Sequence, residues 1–120
     1  MSTTESIGDA RDFVRMVLRD DAVDEATIDD VTLAVSELVT NAVVHGAGGL
    51  ITVRIETAPH EVVCGVRSTG GPLPDPETWT SPGTSGRTGR GLVIVRAVAD
   101  TVVVEDDGLI VELRCSFRRR

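Results

Sequence analysis

Ser36-Glu37-Leu38-Val39-Thr40-Asn41-Ala42-Val43-Val44-His45-Gly46 is the stretch on which the reading of this chain turns. At about 100° per residue, Leu38, Val31, Ala42, Val35, Ile28 and Val39 share one apolar arc of a helix running from about Asp24 to His45. Glu37, Asn41 and His45 follow one another at helical spacing and form a polar stripe along the border of that arc. Ser36, Asp29 and Thr40 fall on the far side and read as solvated. A carboxylate, an amide and an imidazole thus line up where the helix turns away from the core. Taken singly, each has a plain structural reading: a surface acid, an amide bonded locally, a histidine favourable against the helix dipole. Taken together they form a candidate site.

Outward from this helix, Ser6 to Arg19 reads as a first helix, with Ile7, Ala10, Phe13, Val14, Val17 and Leu18 on its apolar face and Asp20-Asp21 ending it. Gly46 suits a left-handed cap on the second. Leu50 to Thr57 alternates apolar and polar residues, Ala58-Pro59-His60 is a turn, and Glu61 to Arg67 returns as the partner strand. Thr101 to Glu105 and Leu109 to Phe117 form a second hairpin around Asp106-Asp107-Gly108. Between Gly65 and Gly91 lie seven of the twelve glycines and four of the five prolines. Leu92 to Ala99 fits a strand by its valines and a helix by its spacing, and periodicity over so short a run leaves both open. The order describes one α+β domain over residues 1–120: a two-layer sandwich, with a mainly antiparallel sheet covered on one face by helices.

All twelve basic residues are arginine, against nineteen acids, for a net charge of −7. A chain without lysine has no Walker-A loop, no Schiff-base enzyme and no eukaryotic-type kinase core. The acidic balance speaks against nucleic-acid binding, and the terminal Arg118-Arg119-Arg120 reads as a solvated tail. No apolar run is long enough to cross a membrane and the first residues lack a signal-peptide stretch, so a cytoplasmic protein is expected. Phe13, Trp79 and Phe117 are the aromatic residues, so the core is aliphatic. Cys64 and Cys115 lack metal-ligand spacing and read as buried free thiols.

The glycine-rich stretch ends in Gly86-Arg87-Thr88-Gly89-Arg90-Gly91-Leu92. A helix beginning there would offer unpaired N–H groups and a positive dipole end to an anion, with Arg87 and Arg90 in place of lysine. A surface loop with incidental arginines is the plainer alternative. The stretch from Ser36 to Gly46 resembles the N box of the histidine-kinase-like ATPases, in particular the branch of bacterial anti-sigma factor serine kinases. Thr88 to Val95, followed by Ala97-Val98-Ala99-Asp100, resembles that branch's second glycine box and the helix after it.

The resemblance covers roughly residues 8 to 117 and implies a Bergerat ATP-binding fold with about three helices, Leu92 to Ala99 being helical. It implies ATP and Mg²⁺ as cofactors, Glu37 as the base or orienting group and Asn41 as the Mg²⁺ ligand. The nucleotide would be bound by Asn41, His45, Ser68, Gly70, Gly86, Thr88, Gly89, Arg90, Gly91 and Leu92, the segment from about 68 to 91 forming a lid. The implied partner is a sigma factor or an anti-anti-sigma-like protein, with a possible homodimer. One departure stands out. Ser68 occupies the place of an Asp that accepts a hydrogen bond from the adenine amino group, and Leu109 and Ile110 lie where family members often carry a Thr. A second function class therefore stays open: a protein-binding module of this fold with weak or no ATP binding. A metal-dependent hydrolase on Glu37 and His45 has too thin a ligand set.

Overall fold

Residues 3–45, 50–69, 86–107 and 109–119 are described by the computed structural model, side chains at 3–6, 44–45 and 86–90 excepted. Helix α1 spans Thr3–Asp20 and buries Val14 and Leu18. It ends in a Schellman turn, with Val23 N donating to Leu18 O and Ala22 N to Arg19 O, both at 3.0 Å. The left-handed residue of that turn is Ala22, at φ 56°. Val23 is buried behind it, as the motif's apolar contact requires. Helix α2 spans Glu25–His45. Its N-cap is Asp24, whose Oδ2 accepts from Thr27 N at 2.9 Å, while the Thr27 hydroxyl donates back to the same carboxylate.

Strands β1 (Thr52–Thr57), β2 (Glu61–Thr69), β3 (Thr101–Asp106) and β4 (Ile110–Arg118) form one sheet in the order β1-β2-β4-β3. Every neighbouring pair is antiparallel. The period of two sends Val62, Cys64 and Val66 of β2, and Val111, Leu113, Cys115 and Phe117 of β4, into the core. Helix α3 spans Gly86–Val98 and buries Leu92 and Val95. Both α1 and α3 pack on α2, which lies across β2 and β4. The architecture is the expected α+β layer, three helices over one face of the sheet.

Five local expectations change. Helix α3 begins at Gly86, so the glycine box read as a loop is already helical and Leu92 is well inside the helix. Ser36, expected in solvent, is only 5% exposed because Arg11 of α1 covers it. Thr40, expected beside it, is half-buried and returns its hydroxyl to Ser36 O. Phe13, placed on the core face, is 39% exposed, and Leu109, before β4, is 79% exposed. Gly46 and the lid residues 70–85, Trp79 among them, lie outside the described residues. The two cysteines are free, buried and directly opposite one another on β2 and β4. The Cys64 thiol is pushed well up by its hydrogen bond with Cys115 and then by burial. Among the described residues no helix is long and apolar enough to cross a membrane.

Two outcomes follow from these turns. An alanine in the left-handed region is strained, so Ala22→Gly is expected to stabilise the fold by about 0.5–1 kcal/mol after the extra chain entropy of glycine. Urea unfolding should show a raised midpoint at constant slope; a lowered midpoint would contradict the capping assignment. At the β3–β4 turn, Asp107 Oδ1 accepts from Ile110 N and Leu109 N, and those bonds hold its carboxyl below the usual range. A depressed folded pKa stabilises above the unfolded value and loses that stabilisation as pH falls through the folded one. The parent chain should therefore lose more stability than Asp107→Ala between about pH 6 and pH 3. Equal losses in parallel urea titrations would rule this out.

Candidate functional site

Glu37 and Asn41 lie one turn apart on the flank of α2 that meets α3. Glu37 is half-buried. Its carboxylate lies against the backbone of Gly91: a Cβ built on Gly91 would stand 2.9 Å from Glu37 Oε2. Both Gly91 and Leu92 are buried at this contact. The glycine box thus meets the carboxylate as a helix surface cleared of side chain, so the two sequence motifs come together in space.

Asn41 is 7% exposed and its Oδ1 is buried with no hydrogen-bond partner among the described residues. An unsatisfied buried amide oxygen costs about 1–3 kcal/mol. Such an oxygen suits a hard cation or a cation-bound water. The residue fits the role of Mg²⁺ ligand that the N box implies. Among the described residues no group of three His, Cys, Asp or Glu could hold a metal by itself.

The α1 helix fixes the segment from the other side. Arg11 Nε and Nη2 donate to Ser36 Oγ at 3.0 and 2.8 Å. This contact directly precedes Glu37 in the chain and was not legible in the sequence, where Ser36 faced away from the apolar arc. Its signal lies in α1, whose Arg11 falls beside the apolar face rather than opposite it.

Ser68 is half-buried near the end of β2, on the helix-covered side by strand parity with Val66. Its partner across the sheet is Val111, buried on the same face. Ile110 instead pairs with Thr69 and points to the open face, so the expected neighbours of Ser68 are corrected to Val111. The parity of Val111, Leu113 and Cys115 already held that information. The backbones of Gly86, Thr88, Gly89 and Arg90 are in the first turns of α3. Hence the helix's unpaired N–H groups belong to residues 86–89 rather than to Leu92. The side chains of His45, Thr88 and Arg90, and all of Gly70, lie outside the described residues.

Comparison with known proteins agrees with this fold. Residues 1–115 match the model of the histidine kinase-like ATPase domain. An anti-sigma F factor of Clostridium acetobutylicum is 33% identical over 88 residues, covering 67% of this chain and 62% of that protein. The catalytic domain of histidine kinase ThkA superposes with a TM-score of 0.65 at 18% identity, over 93% of this chain and 92% of that one. The Acinetobacter baumannii histidine kinase AdeS superposes with a TM-score of 0.59 at 12% identity, over 76% of this chain and 46% of that one. At these identities the two structures speak for the fold. The chain spans under two thirds of the length of the anti-sigma F factor.

The Gly91 contact makes a test that separates fold from site. Alanine is worth up to about 1 kcal/mol over glycine inside a helix, and the obstructing atom at Gly91 is the mobile end of Glu37. Gly91→Ala should melt within about 4 °C of the parent or above it, while the Glu37 carboxylate resonance shifts. A large loss of melting temperature, or an unmoved Glu37 signal, would contradict the contact.

Proposed function

The chain belongs to the histidine kinase-like ATPase family, and from that premise we propose that it is an ATP-binding regulatory protein of the anti-sigma factor kinase type. The carrying observation is Asn41, whose buried Oδ1 has no hydrogen-bond partner among the described residues, one turn from a carboxylate held against the glycine box. The relative matched over two thirds of this chain carries its partner in its name, sigma F. By that likeness this protein phosphorylates or sequesters a sigma factor or an anti-anti-sigma-like protein.

Bound Mg²⁺ would supply charge neutralisation to the nucleotide phosphates, with Asn41 as the residue to hold it. Asn41 presents Oδ1 to that cation. Glu37 accepts the proton of a partner's serine hydroxyl as its oxygen bonds to the γ-phosphorus and ADP departs. The amides at the start of α3 and the arginine at position 90 hold the phosphates, since the chain has no lysine to do so. Gly91 leaves the room that Glu37 occupies.

One observation favours a second reading. Ser68 has a shorter reach than aspartate and no charge, and Val111 across from it offers no polar atom. A lost buried contact of this kind costs a few kcal/mol, enough to leave a protein-binding module with weak nucleotide affinity.

Calorimetry with ATP and Mg²⁺ decides between them. Sub-millimolar binding that disappears in Asn41→Ala is the expected result, and serine phosphorylation of a co-purified partner should then be lost in Glu37→Gln with ATP binding kept. No heat at millimolar ATP, with a partner complex that survives Asn41→Ala, would establish the protein-binding module instead.

A further inference from the structure

The face of the sheet turned away from the helices carries a cavity of about 390 Å³. Strand register explains how it forms. Arg54 of β1, Gly65 of β2 and Arg114 of β4 lie in one row across three adjacent strands. At about 4.8 Å between strands, the two arginine Cα atoms stand about 10 Å apart with no side chain between them. Arg67, two residues along β2, closes one side of this slot.

Nothing steric demands glycine at position 65. A Cβ there would meet Glu112 at 3.7 Å and Arg114 at 3.9 Å, ordinary contacts, and the residue is in a regular strand. Glycine inside a strand costs stability and often marks a close approach by another molecule.

The arginines are held in place from beneath. The Glu112 side chain is 8% exposed and contacts all three: Arg67 Nη2 at 3.2 Å, Arg114 Nε at 3.5 Å and Arg54 Nη1 at 3.6 Å. Glu56 and Glu105 pair with Arg54 and Arg114 only from the rim, with side chains 66% and 57% exposed. Such exposed pairs are weak and exchange readily with another anion. The Glu112 carboxylate is shared among three guanidinium groups, and Arg67, 47% exposed, contacts it through Nε and Nη2, which leaves Nη1 without a carboxylate among the described residues. Donors therefore remain for an incoming oxyanion, and guanidinium groups fixed in advance bind phosphate or carboxylate oxygens well.

We infer that the slot over Gly65 binds a small polyanion through Arg54, Arg67 and Arg114, on the face opposite the Glu37–Asn41 site. The ligand class is a compact molecule with two or more phosphate or carboxylate groups, the outer ones displacing Glu56 and Glu105. The inference does not depend on nucleotide binding at α2.

The test is an amide-resonance titration of the full chain at low salt with pyrophosphate and, separately, with citrate. Binding of either in the millimolar range, with shifts centred on residues 54, 65, 67, 112 and 114, is expected. The tighter of the two tells whether the site prefers phosphate or carboxylate. Gly65→Val keeps every charge and fills the slot, so it should weaken binding about tenfold or more while leaving the fold intact; Arg67→Gln should weaken it through charge. No shift at about 10 mM of either anion, unchanged affinity in Gly65→Val, or shifts confined to residues near Glu37 and Asn41 would overturn the inference. So would a concentration-dependent dimer that Gly65→Val disperses, which would assign this face to a second copy of the chain.

Discussion

The burial of α2 on three sides is the constraint on which this fold rests. Its underside lies across β2 and β4, and its flanks meet α1 and α3. Ile28, Val31, Val35 and Leu38 are fully buried there, each worth roughly 1.5–3 kcal/mol. With Phe117 the one buried aromatic residue among those described, the core depends on close packing of branched aliphatic side chains. A helix enclosed in this way cannot rotate or slide without displacing both neighbours. Glu37 and Asn41 inherit their positions from that packing. The helix that carries them is the most enclosed of the three helices.

The same enclosure accounts for the polar atoms the site leaves open. Ser36, Thr27 and Thr32 are buried on α2 together with Asn41. Ser36 receives Arg11 and Thr27 is tied to the capping Asp24. Asn41, on the α3 flank, and Thr32 keep buried oxygens without a hydrogen-bond partner among the described residues. Of these two, Asn41 is the one that lies a helical turn from the Glu37 carboxylate. The approach of Gly91 to Glu37 shows the complementary device, a side chain withheld so that a carboxylate fits.

The two faces of the sheet follow different rules. The covered face is a continuous aliphatic layer, with even positions of β2 and odd positions of β4 pointing inward. The open face is a lattice of charge built on the other parity, centred on Glu112 beneath three arginines. Antiparallel pairing brings these residues together from three separate strands, and Gly65 leaves a gap among them. One sheet thus separates two chemically distinct surfaces, one serving the helices and their site, the other facing outward with oriented cations.

By itself the sequence determined α1, α2, the two hairpins and the Glu37–Asn41 edge of α2, while residues 92–99 stayed open between strand and helix. These follow from local physics: period, capping and turn chemistry act over a few residues and are written in consecutive positions. The N box and second glycine box were legible for the same reason. The tertiary structure alone decided what stands beside what. It buried Ser36 under Arg11, set Gly91 against Glu37, placed Val111 rather than Ile110 across from Ser68, and aligned Arg54, Gly65 and Arg114. Each of these joins segments far apart in the chain. Helix packing and strand register fix such pairs, and no local period encodes them.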